Sequence, residues 1–246
     1  LDAERYKVFG MASCTTNCLA PIVKVVMNYC KQTDNEIVDL DFVTVHAYTS
    51  DQMIKDGPHK SDLARGRDVH NIIETETGAS SQITVLFPEL KGKIFGTAYR
   101  VPVSDGSALE LRAETKKEIA LKDLNQYFRA MSQSPEMKNI LSYEVDSLVS
   151  GDCVNNPHTC VYLEKAAAQV NSRKVKLGAL YDNEFGYSSK LVELIRRIKK
   201  KSLDSEINQF KAYRDQMSVD TFIHCCGGDD HDTDCDCGAA VINNTS

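Results

Sequence analysis

The chain has 246 residues, 42% of them hydrophobic and 26% charged, the make-up of a globular protein long enough for one large domain or two small ones. Its net charge of −6 gathers at one end: from Asp215 onward there are seven Asp and no Lys or Arg, so the body before it is close to neutral. A neutral body lacks the concentrated basic surface that neutralises nucleic-acid phosphates or an anionic membrane, and no apolar run reaches the roughly eighteen residues of a membrane span.

Leu1-Asp2-Ala3-Glu4-Arg5 lacks the basic-then-apolar order of a signal peptide, so a cytoplasmic protein is expected. A start at Leu1, without Met, sets the further expectation of a fragment whose upstream part is missing. Over residues 15–29, Leu19, Ile22, Val23 and Val26 recur at helical spacing and predict a helix capped by Ser13. Pro21 suits such a helix only in its first turns or at a kink. Residues 41–48 alternate as a strand that carries His46 near its C-terminal end. Residues 49–78 are polar, contain Gly57-Pro58 and Arg65-Gly66-Arg67, and read as a long surface loop of the kind that is functional or disordered.

Further strands are predicted over 94–103, 107–114, 159–163 and 175–181, and amphipathic helices over 121–131 and 187–201. Strands in runs with few helices between them indicate an α+β fold with a largely antiparallel sheet. No G-x-G-x-x-G or P-loop occurs, so these residues do not bind a dinucleotide by themselves. Beyond about residue 202 helical periodicity fades into an acidic, Cys-containing end whose composition does not bury enough surface to order itself. The expected organisation is a domain over 1–201 and a tail over 202–246. His224, Cys225, Cys226, His231, Cys235 and Cys237 supply soft metal ligands in that tail, but no C-x-x-C pair of the zinc type; no metal site is assigned.

Five of the nine cysteines lie in the body (Cys14, Cys18, Cys30, Cys153 and Cys160) and four in the tail. An odd count favours reduced thiols and singles out a nucleophile as worth seeking. Cys14 sits at the start of the first predicted helix, where the helix dipole and unpaired N–H groups lower a thiol pKa and can hold an oxyanion. The same placement suits a packing cysteine behind a Ser/Thr cap, and position alone leaves both readings open.

The run Ala12-Ser-Cys-Thr-Thr-Asn-Cys-Leu-Ala-Pro21 resembles the active-site signature of the glyceraldehyde-3-phosphate dehydrogenase family. The resemblance continues in order through Thr44-Val-His46-Ala-Tyr-Thr49, Asp56-Gly-Pro58, Gly66-Arg67, Asn71-Ile-Ile73, Thr77-Gly-Ala79, Phe87-Pro-Glu-Leu90, Ala98-Tyr-Arg-Val-Pro102 and Tyr181-Asp-Asn-Glu-Phe-Gly-Tyr-Ser188. It covers roughly residues 6–200 and implies the family's catalytic domain, helices packed on one face of its sheet, without the nicotinamide-binding domain that precedes it.

The resemblance implies phosphorylating oxidation of glyceraldehyde 3-phosphate through a cysteine thioester, as in glycolysis. Cys14 would be the nucleophile and His46 the base. Ser13, Thr15, Thr77 and Gly78 would bind the attacking inorganic phosphate, and Arg100 and Thr49 the triose phosphate. Asn183 and Tyr187 would orient the nicotinamide of NAD, with NADP left open. The full-length protein would be a homotetramer, and Cys18 would serve packing. Asp51 departs from the family's second phosphate-contacting threonine, and a carboxylate there repels a substrate phosphate. The loop before Asn71 is about one residue short, and Leu180 stands where the family has tryptophan. Erythrose-4-phosphate dehydrogenase and a non-catalytic homologue are the alternatives.

Overall fold

Ser13 starts the first helix. Its backbone is extended (φ −118°, ψ 164°) and its Oγ accepts the Thr16 N–H at 3.1 Å, which satisfies one of the orphan donors of a helix N-terminus. Helix α1 (Cys14–Gln32) then runs unbroken through Pro21, two turns in and past the first turn where proline is cheapest. Burial offsets the lost Asn17 carbonyl bond: Cys18, Leu19, Ile22, Val23, Val25 and Val26 are all fully buried. The computed structural model describes residues 8–49 and 70–216.

A seven-stranded sheet lies against this helix in the order β2-β3-β1-β4-β7-β6-β5. Its strands are β1 (Ile37–Ala47), β2 (Ile73–Thr75), β3 (Ile94–Val101), β4 (Ser107–Thr115), β5 (Leu141–Glu144), β6 (Cys160–Asn171) and β7 (Lys174–Tyr181). The β1–β3 and β5–β6 pairs are parallel and the other four antiparallel, so the sheet is mixed and largely antiparallel. The strand period of two gives each face its character. Leu40 and Phe42 on β1, Leu109 and Leu111 on β4 and Leu177 on β7 face one way and are buried. Onto that face pack α1, α2 (Ala79–Leu86) and α3 (Leu121–Ser132).

On the opposite face, charges pair across strands: Arg112 with Asp41 and Glu110, Lys176 with Glu110, and Lys174 with Glu114. A small apolar cluster of Cys153, Val161, Leu163 and Leu180 covers part of it.

The predicted helices and strands are present, with three additions, β2, α2 and β5, and one extension, of β6. Strand β2 falls inside the expected 49–78 loop and has three residues, too few to show a period. Helix α2 was not expected, because Ile83, Thr84 and Val85 are β-branched and weak helix formers; it is held by Ala79 and Ile83, one turn apart and both buried. Strand β6 outruns its expected end at 163 through Lys165-Ala-Ala-Ala, a helix-favouring stretch spanned by a register shift and flanked by pairing with β7 at Leu163 and from Ala168 on.

Helix α4 (Phe185–Gln216) continues past residue 201, where the predicted helix stops. The chain separates into two compact units within it, between Arg196 and Arg197. Residues 202–216, expected as the start of the tail, are helical, and residues 217–246, with the metal ligands, lie outside the described residues.

Candidate active site

Ala12 has φ 60°, left-handed backbone that is strained for a residue with a Cβ. Asn17 holds this turn by donating from Nδ2 to the carbonyls of Met11 (2.7 Å) and Ser13 (2.9 Å). The turn delivers Ser13 as cap and Cys14 as the first helical residue. Cys14 Sγ then lies 3.1 Å from His46 Nε2, at the C-terminal end of β1 on the helix-covered face. The candidate nucleophile and candidate base are thus in hydrogen-bond contact.

The other ring nitrogen decides which proton moves. His46 Nδ1 is 2.7 Å from the Ala47 carbonyl, which also accepts from Arg100 Nη1 at 3.1 Å. In the tautomer that donates Nδ1–H to that carbonyl, Nε2 carries the lone pair that faces the Cys14 thiol; in the other, Nδ1 accepts from the Arg100 guanidinium. Arg100, paired with His46 in the β1–β3 register, sets its guanidinium directly against Nδ1. Burial and then the Arg100 cation push the His46 pKa down to about 4, against the pull of the Ala47 carbonyl.

Burial also raises the Cys14 pKa, and outweighs the lowering by the Thr15 N–H, the Arg100 cation and the Thr15 hydroxyl. This corrects the expectation of a lowered thiol: helix-terminal donors are present, and desolvation exceeds them. At neutral pH the pair is therefore a thiol beside a neutral imidazole.

Tyr181 was missed as a site residue, although it shares its strand parity with buried Leu177 and Ala179. Its hydroxyl lies 2.9 Å from Thr15 Oγ1 and 2.7 Å from Thr44 Oγ1, and Thr44 donates to the Ala108 carbonyl at 3.1 Å. Each hydroxyl gives one proton, so the chain runs Thr15 to Tyr181 to Thr44 to Ala108. The Tyr181 ring meets His46 edge-on, with centroids 5.8 Å apart.

The candidate phosphate residues come from two helices, and Gln82, also missed, joins them. From the first turn of α2, next to Thr77 and Gly78, Gln82 Oε1 accepts from Ser13 Oγ at 3.0 Å and from Thr16 Oγ1. Thr77 Oγ1 accepts the Ala79 N–H at 3.2 Å, and Thr15 is buried with its hydroxyl directed to Tyr181. No sequence period marks Gln82.

Thr49 is half-buried, two residues beyond β1, at the same end as His46 and Arg100. Asn183 is buried and accepts at Oδ1 from Ser107 Oγ (2.9 Å), which accepts the Ala47 N–H (3.2 Å). A short hydrogen-bonded path thus joins it to the residue beside His46. Asp182 accepts the N–H groups of Glu184 and Phe185 and caps α4, and half-buried Tyr187 lies in that helix's first turn. Cys18 is fully buried in the core. Asp51 lies outside the described residues. No group of three His, Cys, Asp or Glu side chains converges to hold a metal ion among the described residues.

Residues 13–183 match the family described as glyceraldehyde 3-phosphate dehydrogenase, C-terminal domain. The chain is similar to glyceraldehyde-3-phosphate dehydrogenase of Mycobacterium avium, 42% identical over 196 residues, which is 78% of this chain and 55% of that protein. It is similar to glyceraldehyde-3-phosphate dehydrogenase 2 of Bacillus subtilis (strain 168), 42% identical over 200 residues, 80% of this chain and 56% of that protein. The testis-specific enzyme of Mus musculus is 41% identical over 190 residues, 77% of this chain and 42% of its own. The chain spans about half the length of the curated relatives it matches. A thiol and an imidazole in contact at a helix start, within a sheet of this topology and a match of this extent, place the chain in the glyceraldehyde-3-phosphate dehydrogenase family, in the part that family calls its C-terminal domain.

Proposed function

We propose that Cys14 and His46 carry out the phosphorylating oxidation of an aldehyde, glyceraldehyde 3-phosphate, to an acyl phosphate, 1,3-bisphosphoglycerate. The observation that carries this is the 3.1 Å contact between Sγ and Nε2. Cys14 Sγ adds to the aldehyde carbon as its proton passes to Nε2, which returns it to the new alkoxide to complete the hemithioacetal; Nε2 then takes that hydroxyl proton in the oxidation to the thioester. NAD or NADP would supply the hydride acceptor. Inorganic phosphate then attacks the thioester carbon and expels the Cys14 thiolate, which is reprotonated.

Asn183 fits a nicotinamide carboxamide. Its Oδ1 is taken by Ser107 while Nδ2 turns toward exposed Glu184 at 3.4 Å, so a buried amide presents N–H donors. Tyr187 would flank the same group. Ser13, Thr77, Gly78 and the Thr15 backbone would receive the attacking phosphate, and Arg100 and Thr49 the substrate phosphate. The full-length protein would be a homotetramer, and the sheet face away from the helices, where Val43, Val45, Leu163 and Leu180 line a cavity of about 370 Å³ among the paired charges, offers one surface for contact between copies.

The test uses a half-reaction that needs no cofactor. An activated acetyl ester should acylate Cys14, seen by mass spectrometry, and inorganic phosphate should accelerate loss of the acetyl group. Cys14→Ser should form no labile adduct, and His46→Asn should slow acylation about a hundredfold or more. Deacylation indifferent to phosphate, or equal acylation of the Cys14→Ser chain, would overturn the assignment.

A further inference from the structure

Gln82 takes, for Ser13 of the proposed phosphate site and for its neighbour Thr16, the role an anion oxygen would take. Its Oε1 accepts from Ser13 Oγ and Thr16 Oγ1, while Ser13 Oγ itself accepts the Thr16 N–H and lies 2.7 Å from Thr16 Oγ1. A hydroxyl has one proton to give. Once both protons go to the amide oxygen, neither hydroxyl has one left for an oxyanion, and the Thr15 proton is committed to Tyr181 in the same way. Gln82 sits on the half-buried side of α2, one turn from Gly78, so its side chain can withdraw without opening the core.

We propose that Gln82 is a specificity-determining residue that sets the affinity for the attacking phosphate, by competing with it for the Ser13 hydroxyl proton. The inference rests on the reading of Ser13 as a phosphate ligand. When phosphate binds, Ser13 transfers its hydrogen bond from the amide oxygen to a phosphate oxygen, and Gln82 is displaced. The arrangement makes the site accept phosphate at the expense of an internal contact, and keeps the cap of α1 satisfied between turnovers.

The experiment follows deacylation of acetyl-Cys14 against inorganic phosphate concentration. Gln82→Met, similar in length and without the amide acceptor, should lower the half-saturating phosphate roughly three- to tenfold, the scale of one or two neutral hydrogen bonds. Gln82→Glu should raise it by at least as much, since the carboxylate keeps the acceptor and repels the anion. A residue that only braced α2 against α1 would weaken phosphate binding in both variants. If the unmutated chain shows no saturable phosphate dependence, or Ser13→Ala leaves the half-saturating concentration unchanged, the phosphate reading falls and the inference with it. If Ser13→Ala weakens phosphate binding but Gln82→Met leaves it unchanged or weakens it, the inference alone is overturned. Should the Met variant fail to fold, Gln82→Leu, read by phosphate titration of the Ser13 and Gly78 amide resonances, gives the same decision.

Discussion

Arg100 acts on both halves of the Cys14–His46 pair. Its cation lowers the thiol pKa, which favours thiolate, and lowers the imidazole pKa, which disfavours the imidazolium that would accompany it. Burial sets the larger shift for each, so the pair is neutral at neutral pH. Replacing Arg100 with Met should raise the His46 pKa from about 4 without bringing it to the unperturbed value of about 6.5, because burial remains. The His46 ring C–H shift in an NMR pH titration reads this directly, and an unmoved midpoint would contradict the cation's part. The linkage to stability follows in sign. An unfolded chain binds the His46 proton below about pH 6.5 and the folded one only near 4, so the stability present above 6.5 declines as pH falls between those values. Urea unfolding at pH 7 and pH 4.5 should show that decline, shallower in the Arg100→Met chain.

The pairing of β1 with β3 has a tight point that residue types alone do not reveal. Phe42 on β1 faces Gly96 on β3, and a Cβ on Gly96 would come within 2.1 Å of the Phe42 ring. Phe42 is fully buried and has little room to yield. Gly96→Ala should therefore destabilise the domain by about 1–3 kcal/mol, read from the urea midpoint; a neutral result would mean that the ring repacks. Because His46 and Arg100 are carried by these two strands, the same variant should weaken their register and slow Cys14 acylation.

The elements themselves were legible in proportion to their periodicity. Helix α1 and strand β1 announce themselves through long, regular apolar patterns, and Cys14 and His46 are found through the motifs they carry. Helix α2 and strands β2 and β5 are short or built from residues with the wrong propensity, and exist because tertiary contacts hold them. Gln82 belongs to that hidden set: its role comes from the approach of α2 to α1, 66 residues away from Thr16, and nothing local encodes that.

Across the molecule, the two faces of the sheet divide the work. The helix-covered face builds the core and the candidate site, while the other leaves Val45 40% exposed beside a lattice of ion pairs. Surface pairs of this kind contribute little energy singly, and they impose a charge pattern that a partner surface has to match. If this face joins copies of the chain, Val45→Asp should shift sedimentation toward smaller species while leaving phosphate-dependent deacylation of Cys14 intact; an unchanged distribution would place the interface elsewhere. The hydroxyl chain from Thr15 through Tyr181 to Thr44 adds a constraint in time. It joins a residue near the start of the chain to one 166 positions later, a contact of high sequence separation whose closure is entropically late. The hydroxyl chain beside Cys14 therefore closes only after the last strand of the sheet has docked, and a chain interrupted during synthesis carries the thiol without it.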